Sequence, residues 1–157
     1  MAVKPIPPGY GGVTPYLIIR DAARALDFYA EVFGAQPALR LDYPDGRVAH
    51  AEMKIGEGYV MISEEMPDMG FRGPLALGGT SISLLVYVED VDAVFAKAVA
   101  AGAENKRPVA DQFYGDRSGT IVDPFGHVWT LATRVEETTE QQRQERWSGI
   151  LEEHAGD

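Results

Sequence analysis

The chain has 157 residues, of which 45% are hydrophobic and 24% charged, values typical of a folded globular domain rather than a disordered segment. Its formal net charge of −10, with no basic stripe, excludes nucleic acid as an expected partner. It contains no cysteine, which excludes disulfides, thiolate nucleophiles and cysteine metal sites and is consistent with a cytoplasmic location.

The first segment, residues 1–12, is rich in proline and glycine and predicts an extended arm. It lacks the apolar stretch of a signal peptide. No apolar run in the chain approaches the roughly 20 residues that a membrane-spanning helix needs, so a membrane is not an expected partner either.

Residues 13–63 predict a first module of one helix and four strands. Apolar residues recur at helical spacing over residues 22–33, which indicates an amphipathic helix. Asp21 is its expected N-cap, and Gly34 ends it. The strands are predicted over residues 13–19, 38–43, 47–55 and 59–63.

The strand predicted over residues 47–55 carries the first candidates for chemistry. Its alternation places His50 and Glu52 on one face together with Val48 and Lys54. A carboxylate beside a histidine orients the ring and supports it as an acid or base, so His50 and Glu52 are candidate catalytic residues. Two other interpretations stay open: two ligands of an unusual metal site, or a satisfied polar pair on a sheet face.

Residues 64–80 interrupt the pattern with two prolines and four glycines and predict a linker loop. Its Met66, Met69 and Phe71 are suited to an adaptable lid over a cavity, because methionine side chains repack easily. A loop that only covers a sheet edge is an equally good interpretation.

Residues 81–133 predict a second module of the same order. Gly34 and Gly102 lie 68 residues apart, as do Gly58 and Gly126, so the halves form an internal repeat. In each half one helix covers one sheet face, and the other face must be buried elsewhere. The elements are strands over residues 81–88, 104–109, 118–123 and 127–133 and a helix over residues 91–101 that Asp90 caps.

Alternation along the strands predicts which side chains face a cavity between the modules. An aromatic and aliphatic lining with several hydroxyl groups suits a small organic ligand. The residues predicted to face the cavity are Thr14, Tyr16, Ser83, Leu85, Tyr87 and Thr130, in addition to His50 and Glu52.

Six further residues have separate predicted roles. Phe113 and Tyr114 are expected as walls of a ligand cleft. Arg117 is a candidate clamp for an anionic group of the ligand, or else an ion-pair partner, and Asp116 is expected in an Arg–Asp pair that fixes its loop. His127 is expected to satisfy the neighbouring turn, and Trp129 to lie in the core.

The tail, residues 134–157, is highly charged and predicts a helix that begins at a capping box of Thr139 and Gln142. Trp147, Ile150 and Leu151 share one helical face. This face is expected to dock on its own domain or on a partner subunit.

Residues 114–133 read YGDRSGTIVDPFGHVWTLAT, two strands joined by a tight turn. The motifs GDRSGT and DPFGH and the following Trp129 resemble the last hairpin of the glyoxalase / bleomycin resistance / dioxygenase (vicinal oxygen chelate) superfamily, in particular its PhnB-like subgroup. The resemblance implies an α+β fold in which two tandem βαβββ modules form a curved, barrel-like mixed sheet. It also implies a homodimer, because relatives often share the ligand crevice between subunits.

In metal-dependent members of the superfamily, the first and last strands of each module hold a divalent cation, usually through His, Glu or Gln. Spacing from the motifs places these positions at Thr14, Ser83 and Thr130 and within residues 61–63, which offer no histidine or carboxylate. Hydroxyl groups are poor sole ligands for such a cation, so no metal or other cofactor is expected.

The resemblance therefore favours a metal-free small-molecule binding protein similar to the antibiotic-sequestering bleomycin resistance proteins. The negative charge favours a cationic ligand. One alternative is a divalent-metal-dependent lyase, isomerase or dioxygenase with a non-standard ligand set that uses His50 and Glu52. Another is a structural or regulatory dimer whose tail recruits a partner.

Overall fold

The computed structural model describes residues 2–156 and contains two units of the same architecture, each with a helix against a four-stranded mixed sheet. The first unit consists of β1 (Tyr16–Ile19), α1 (Ala22–Phe33), β2 (Gln36–Asp42), β3 (Val48–Ile55) and β4 (Gly58–Glu64). The second consists of β5 (Ser83–Tyr87), α3 (Val91–Ala100), β6 (Glu104–Asp111), β7 (Asp116–Val122) and β8 (Val128–Arg134).

The strand orders, β1-β4-β3-β2 and β5-β8-β7-β6, are identical, which confirms the predicted repeat and the α+β fold. In each sheet the first strand runs parallel to the last, and the other neighbours are antiparallel. Within residues 2–156 the strands form two separate sheets that do not close into a barrel.

The segment between the modules contains a 3-10 turn (Pro67–Met69) and a short helix, α2 (Pro74–Leu77), and the tail forms α4 (Glu140–His154). The predicted capping box of α4 is confirmed, with Thr139 and Gln142 bonded reciprocally. Residues 1 and 157, the ends of the predicted arm and tail, lie outside the described range. No helix of residues 2–156 combines the length and apolarity needed to cross a bilayer.

The predicted Asp21 cap of α1 is wrong. Asp21 has a left-handed backbone, with φ of 66°, and its side chain makes no capping bond. Instead the two oxygens of Glu64 accept hydrogen bonds of 2.9 Å from the amides of Asp21 and Ala22. A carboxylate from the end of β4 thus satisfies the helix start and complements its dipole. The Asp90 cap of α3 is confirmed, since its carboxylate accepts from the Ala93 amide at 3.1 Å.

The two modules share a buried aromatic cluster. The Tyr29 ring of α1 lies 5.3 Å from the ring of Trp129 in β8 and 6.4 Å from Phe125 in the turn before it. Trp129 is 2% exposed, which confirms its predicted place in the core. Burial of such large rings contributes strongly to stability, so this cluster holds the modules in one arrangement.

Asp123 sits beneath this cluster and is 3% exposed. One carboxylate oxygen accepts from the amides of Phe125 and His127, each at 2.9 Å. The other accepts from the Tyr29 hydroxyl at 2.6 Å and from the Trp129 indole at 3.0 Å. The turn aspartate therefore also bonds α1 of the first module to the second module.

Candidate functional site

The first sheet carries α1 on one face and leaves the other face open. On the open face the predicted alternation of β3 holds for His50 and Glu52 but is wrong for Val48, which is fully buried. Leu41 pairs with His50 while Asp42 pairs with Val48, so Ala49 is an extra residue in a β-bulge. The bulge re-aims the start of β3 and places Ala49 against a pocket of the open face.

A chain of hydrogen bonds runs across this face. The Tyr16 hydroxyl lies 2.7 Å from Nδ1 of His50, and Nε2 of His50 lies 3.1 Å from Oε1 of Glu52. The hydroxyl of Tyr10, in the N-terminal arm, donates to Oε2 of Glu52. A carboxylate only accepts, so Nε2 carries the proton, and in the neutral ring Nδ1 accepts from Tyr16.

Sheet order explains why these residues meet. β4 lies between β1 and β3, and Met61 of β4 pairs with both Tyr16 and Glu52. Tyr16 and Glu52 therefore occupy one row across three strands, with His50 one step away on the same face. The Tyr10 ring is held over the sheet by stacking on Tyr59 at 4.7 Å.

The hydrogen bonds set the charge of Glu52. The Tyr10 hydrogen bond, followed by the His50 hydrogen bond, lowers the pKa of Glu52. Conversely, donation to Glu52, with burial and the charge of Glu52, raises the pKa of Tyr10 to about 12. At neutral pH the cluster therefore contains a carboxylate at one end and a neutral phenol beside it.

The Tyr16 ring also lines a pocket of ≈ 400 Å³ at the open face. The linker covers this pocket with Met66, Met69 and Phe71, which line it. Met66 and Phe71 exchange two backbone hydrogen bonds, of 2.8 and 3.1 Å, and these close the linker into a narrow loop. The Tyr43 hydroxyl contacts the Met66 sulfur at 3.3 Å. The apolar part of the lining comes from Tyr16, Ile18, Tyr43, Ala49, Met66, Met69 and Phe71, and Ser63 and Glu64 add polar groups.

On the second sheet, the predicted cavity residues lie on a separate open face. Leu85 pairs with Thr130, whose hydroxyl is 3.2 Å from that of Thr120. Ser83 and Tyr87 share the face of Leu85 by alternation. Thr14 lies near Leu85 in a different pocket, of ≈ 370 Å³, between the modules. The structure thus groups Tyr16, His50 and Glu52 on one sheet and these residues elsewhere.

Asp116 and Arg117 do not pair with each other. The Asp116 carboxylate accepts from the Tyr87 hydroxyl at 2.7 Å, and this bond raises the pKa of Tyr87. Nε and Nη2 of Arg117 donate to both oxygens of Asp92 in α3, at 2.8 and 2.9 Å, and Nη1 donates to Asp111 at 3.2 Å. The guanidinium fork is therefore engaged on the helix side of the sheet.

The two loop aromatics contact the tail. Phe113 stacks on Trp147 of α4 with ring centroids 5.6 Å apart, and Tyr114 meets Phe113 edge-on at 5.2 Å. Arg146 of α4 donates to the Phe113 carbonyl at 3.0 Å and pairs with Glu136. Phe113 and Tyr114 thus lie at the docking site of α4 and away from the His50 cluster.

The donor set does not fit a divalent cation. Among residues 2–156 no three His, Asp or Glu side chains are grouped to hold one. Thr14, Ser83 and Thr130 offer only hydroxyl groups, which are weak ligands. The His127 ring is used elsewhere, since its Nε2 lies 3.2 Å from the carbonyl of Ile18 and joins the modules, while the His127 backbone satisfies the turn as predicted.

Sequence reasoning missed Tyr10 and Tyr43. Tyr10 follows a Pro-Pro-Gly segment, which predicts a loop and gives no signal of contact with β3. Tyr43 ends the strand predicted over residues 38–43, directly before a turn proline, and nothing at that position signals a contact with the linker. Contacts with residues distant in sequence place both at the open face: Tyr59 and Glu52 hold Tyr10, and Met66 contacts Tyr43.

Known proteins match both the sequence and the fold. The sequence profile of the Glyoxalase/Bleomycin resistance protein/Dioxygenase superfamily matches residues 13–131. An uncharacterized protein of Mycobacterium bovis is 41% identical over 128 residues, which are 80% of this chain and 84% of that protein. TioX from Micromonospora sp. ML1 is 31% identical, with a TM-score of 0.61 over 82% of this chain and 100% of TioX.

The PhnB protein from Bacillus cereus shares the fold, with a TM-score of 0.63 over 77% of this chain and 98% of that protein, at 22% identity. The family profile and these folds agree with the motifs of the last hairpin and with the repeated βαβββ order. The chain therefore belongs to the glyoxalase / bleomycin resistance protein / dioxygenase superfamily.

Proposed function

We propose that this protein binds a small organic molecule, without a metal, in the pocket that the linker covers on the first sheet. The observation that carries the proposal is the ≈ 400 Å³ pocket with an aromatic and thioether lining and the polar Tyr16 at its wall. Ligand sites commonly combine such a lining with a few positioned polar groups.

The lining and the charge favour one class of ligand. Tyr16, Tyr43 and Phe71 present flat apolar surface, and Met66 and Met69 adapt to irregular shapes. The formal net charge of −10 attracts cations over distance. The ligand class proposed is therefore an aromatic, positively charged compound such as a cationic antibiotic.

Phe71→Ala is expected to weaken binding of such a compound by about tenfold or more, because burial of a phenylalanine side chain contributes about 1.5–3 kcal/mol. The measurement is isothermal titration of the full chain with a panel of cationic and neutral aromatic antibiotics. Leu77→Ala is the matched control, since Leu77 is an exposed apolar residue of the same segment outside the pocket.

Failure of every compound in the panel, or equal losses in both variants, contradicts the proposal. The metal-dependent alternative is tested on the same preparation by elemental analysis after purification without chelator. A stoichiometric divalent ion that is lost in His50→Ala contradicts metal-free binding.

The proposed assembly is a homodimer in which a second copy covers the open sheet faces. Leu41 on the first sheet and Leu85 and Tyr87 on the second are more than half exposed, and apolar surface of this kind favours association. The superfamily resemblance supports the same assembly. The cytoplasmic location and a partner for the tail stay predictions.

Leu85→Glu is expected to raise the dimer dissociation constant by at least about tenfold, because it places a charge in the covered face. Multi-angle light scattering over a concentration series measures this. Val99→Glu is the control, since Val99 is an exposed apolar residue of α3, on the other side of the sheet. A wild-type chain that is monomeric at all concentrations contradicts the dimer.

A further inference from the structure

We propose that Glu52, His50 and Tyr16 form an acid–base relay that makes the Tyr16 hydroxyl a proton-transfer group, so that the pocket is a catalytic site for ligands with an acidic proton. The inference rests on the proposed pocket but adds a reaction to it. Tyr16 is the catalytic residue, His50 exchanges its proton, and Glu52 is a positioning residue.

The geometry is that of an activated hydroxyl. The Tyr16 hydroxyl is 2.7 Å from Nδ1 of His50, and Glu52 holds the opposite ring nitrogen at 3.1 Å. A reactive group, a base within hydrogen-bond reach and a third group that orients the base are the elements of a catalytic triad. Donation from Nε2 to Glu52 leaves Nδ1 free to accept the Tyr16 proton.

Burial is graded along the relay. Tyr16 is 50% exposed and lines the pocket, whereas the side chains of His50 and Glu52 are 24% and 19% exposed. A ligand therefore reaches Tyr16 while the base and its carboxylate are partly screened from water. Tyr10 adds a second hydrogen bond to Glu52, and this bond helps to keep the pKa of that carboxyl low.

The step is a proton transfer that balances without any co-reactant. The acidic O–H or C–H of the ligand gives its proton to the Tyr16 oxygen as the phenolic proton of Tyr16 passes to Nδ1 of His50. The ligand becomes an anion, and the imidazolium lies against the Glu52 carboxylate, which stabilises it. The reverse step returns the proton, so ligands acidified by a neighbouring carbonyl are the class that this site can enolise or isomerise.

The test uses benzenesulfonyl fluoride as a probe of phenol reactivity in the full chain. The phenolic oxygen forms an S–O bond, the S–F bond breaks, fluoride leaves and the phenolic proton goes to the base. The reaction is run on chain diluted to the monomer, because the proposed dimer covers both open sheet faces. Tyr87 is then an internal control, because it is 57% exposed and its hydroxyl also bonds to a carboxylate, but no imidazole contacts it.

Peptide mapping by mass spectrometry at pH 7.5 is expected to show Tyr16 modified at least about 100-fold faster than Tyr87, the low end of general-base effects. His50→Gln and Glu52→Gln are expected to remove this advantage and to leave the Tyr87 rate unchanged. Glu52→Asp, which keeps the charge, is expected to restore part of it.

Equal rates at Tyr16 and Tyr87 in the wild-type chain overturn the relay even where a variant fails to fold, and so does a Tyr16 rate that His50→Gln does not change. Selective Tyr16 modification without binding of any antibiotic overturns the proposed antibiotic-type ligand and supports the relay. Antibiotic binding without selective Tyr16 modification overturns the relay and supports the proposed antibiotic-type ligand.

Discussion

Asp123→Ala is expected to lower the free energy of unfolding by about 3–5 kcal/mol, since each buried polar group left without a partner costs about 1–3 kcal/mol and such losses are not additive. The substitution removes the acceptor of four hydrogen bonds at a position that is 3% exposed. The Tyr29 hydroxyl and the Trp129 indole nitrogen lose this partner inside the aromatic cluster, where water does not easily replace it.

Urea unfolding followed by circular dichroism measures this loss. Asp90→Ala is the matched control, because it removes an exposed aspartate that caps α3 and is expected to cost about 1 kcal/mol. Tyr29→Phe, which deletes one of the four donors to Asp123, should fall between wild type and Asp123→Ala. Equal losses for Asp123→Ala and Asp90→Ala contradict the role of Asp123 in joining the modules.

Gly126→Ala is expected to lower the free energy of unfolding by about 2–5 kcal/mol, the sum of a left-handed backbone penalty of about 1–2 kcal/mol and overpacking of about 1–3 kcal/mol. Gly126 has φ of +90°, and a Cβ added there would lie 2.8 Å from Cβ of Pro74 and 3.4 Å from the amide nitrogen of Leu75. The turn and the start of α2 therefore cannot both keep their positions.

Gly46→Ala separates the left-handed backbone penalty from the cost of overpacking. Gly46 closes a similar turn, with φ of +86° and a hydrogen bond to the Tyr43 carbonyl of 2.9 Å, against 3.0 Å from Gly126 to Asp123. No atom lies within 4 Å of its added Cβ, so only the backbone penalty of about 1–2 kcal/mol is expected. If chemical denaturation gives the same loss of unfolding free energy for both variants, then packing of the Gly126 turn against α2 contributes no cost beyond the backbone penalty.

Helices and strands were predicted correctly where the signals that determine them lie within the segment itself. The helix expected over residues 22–33 is observed as Ala22–Phe33, because its apolar spacing and terminal glycine act within the segment. The first strand was expected over residues 13–19 but begins at Tyr16. Val13 is fully exposed and Pro15 cannot donate to a ladder, so apolar composition alone overestimated the strand.

Predictions failed where a distant residue takes over a local role. Asp21 was expected to cap α1 from the adjacent position, but Glu64 reaches the same amides from another strand. For Arg117 the ion-pair alternative is the one observed, but its partner, Asp92 of α3, which accepts with both oxygens, was not predicted. A sequence pattern contains no information on which charge lies opposite after folding, so neither contact was predictable.

The sequence by itself determined the family, the repeated βαβββ order and the position of His50 and Glu52 on one face, because motif, period and alternation are properties of adjacent residues. Only the tertiary structure decided that Tyr16 completes the pair, that Tyr10 supports it and that Asp123 joins the modules. Each of these contacts spans strands or modules distant in sequence, and sheet order and packing bring them together.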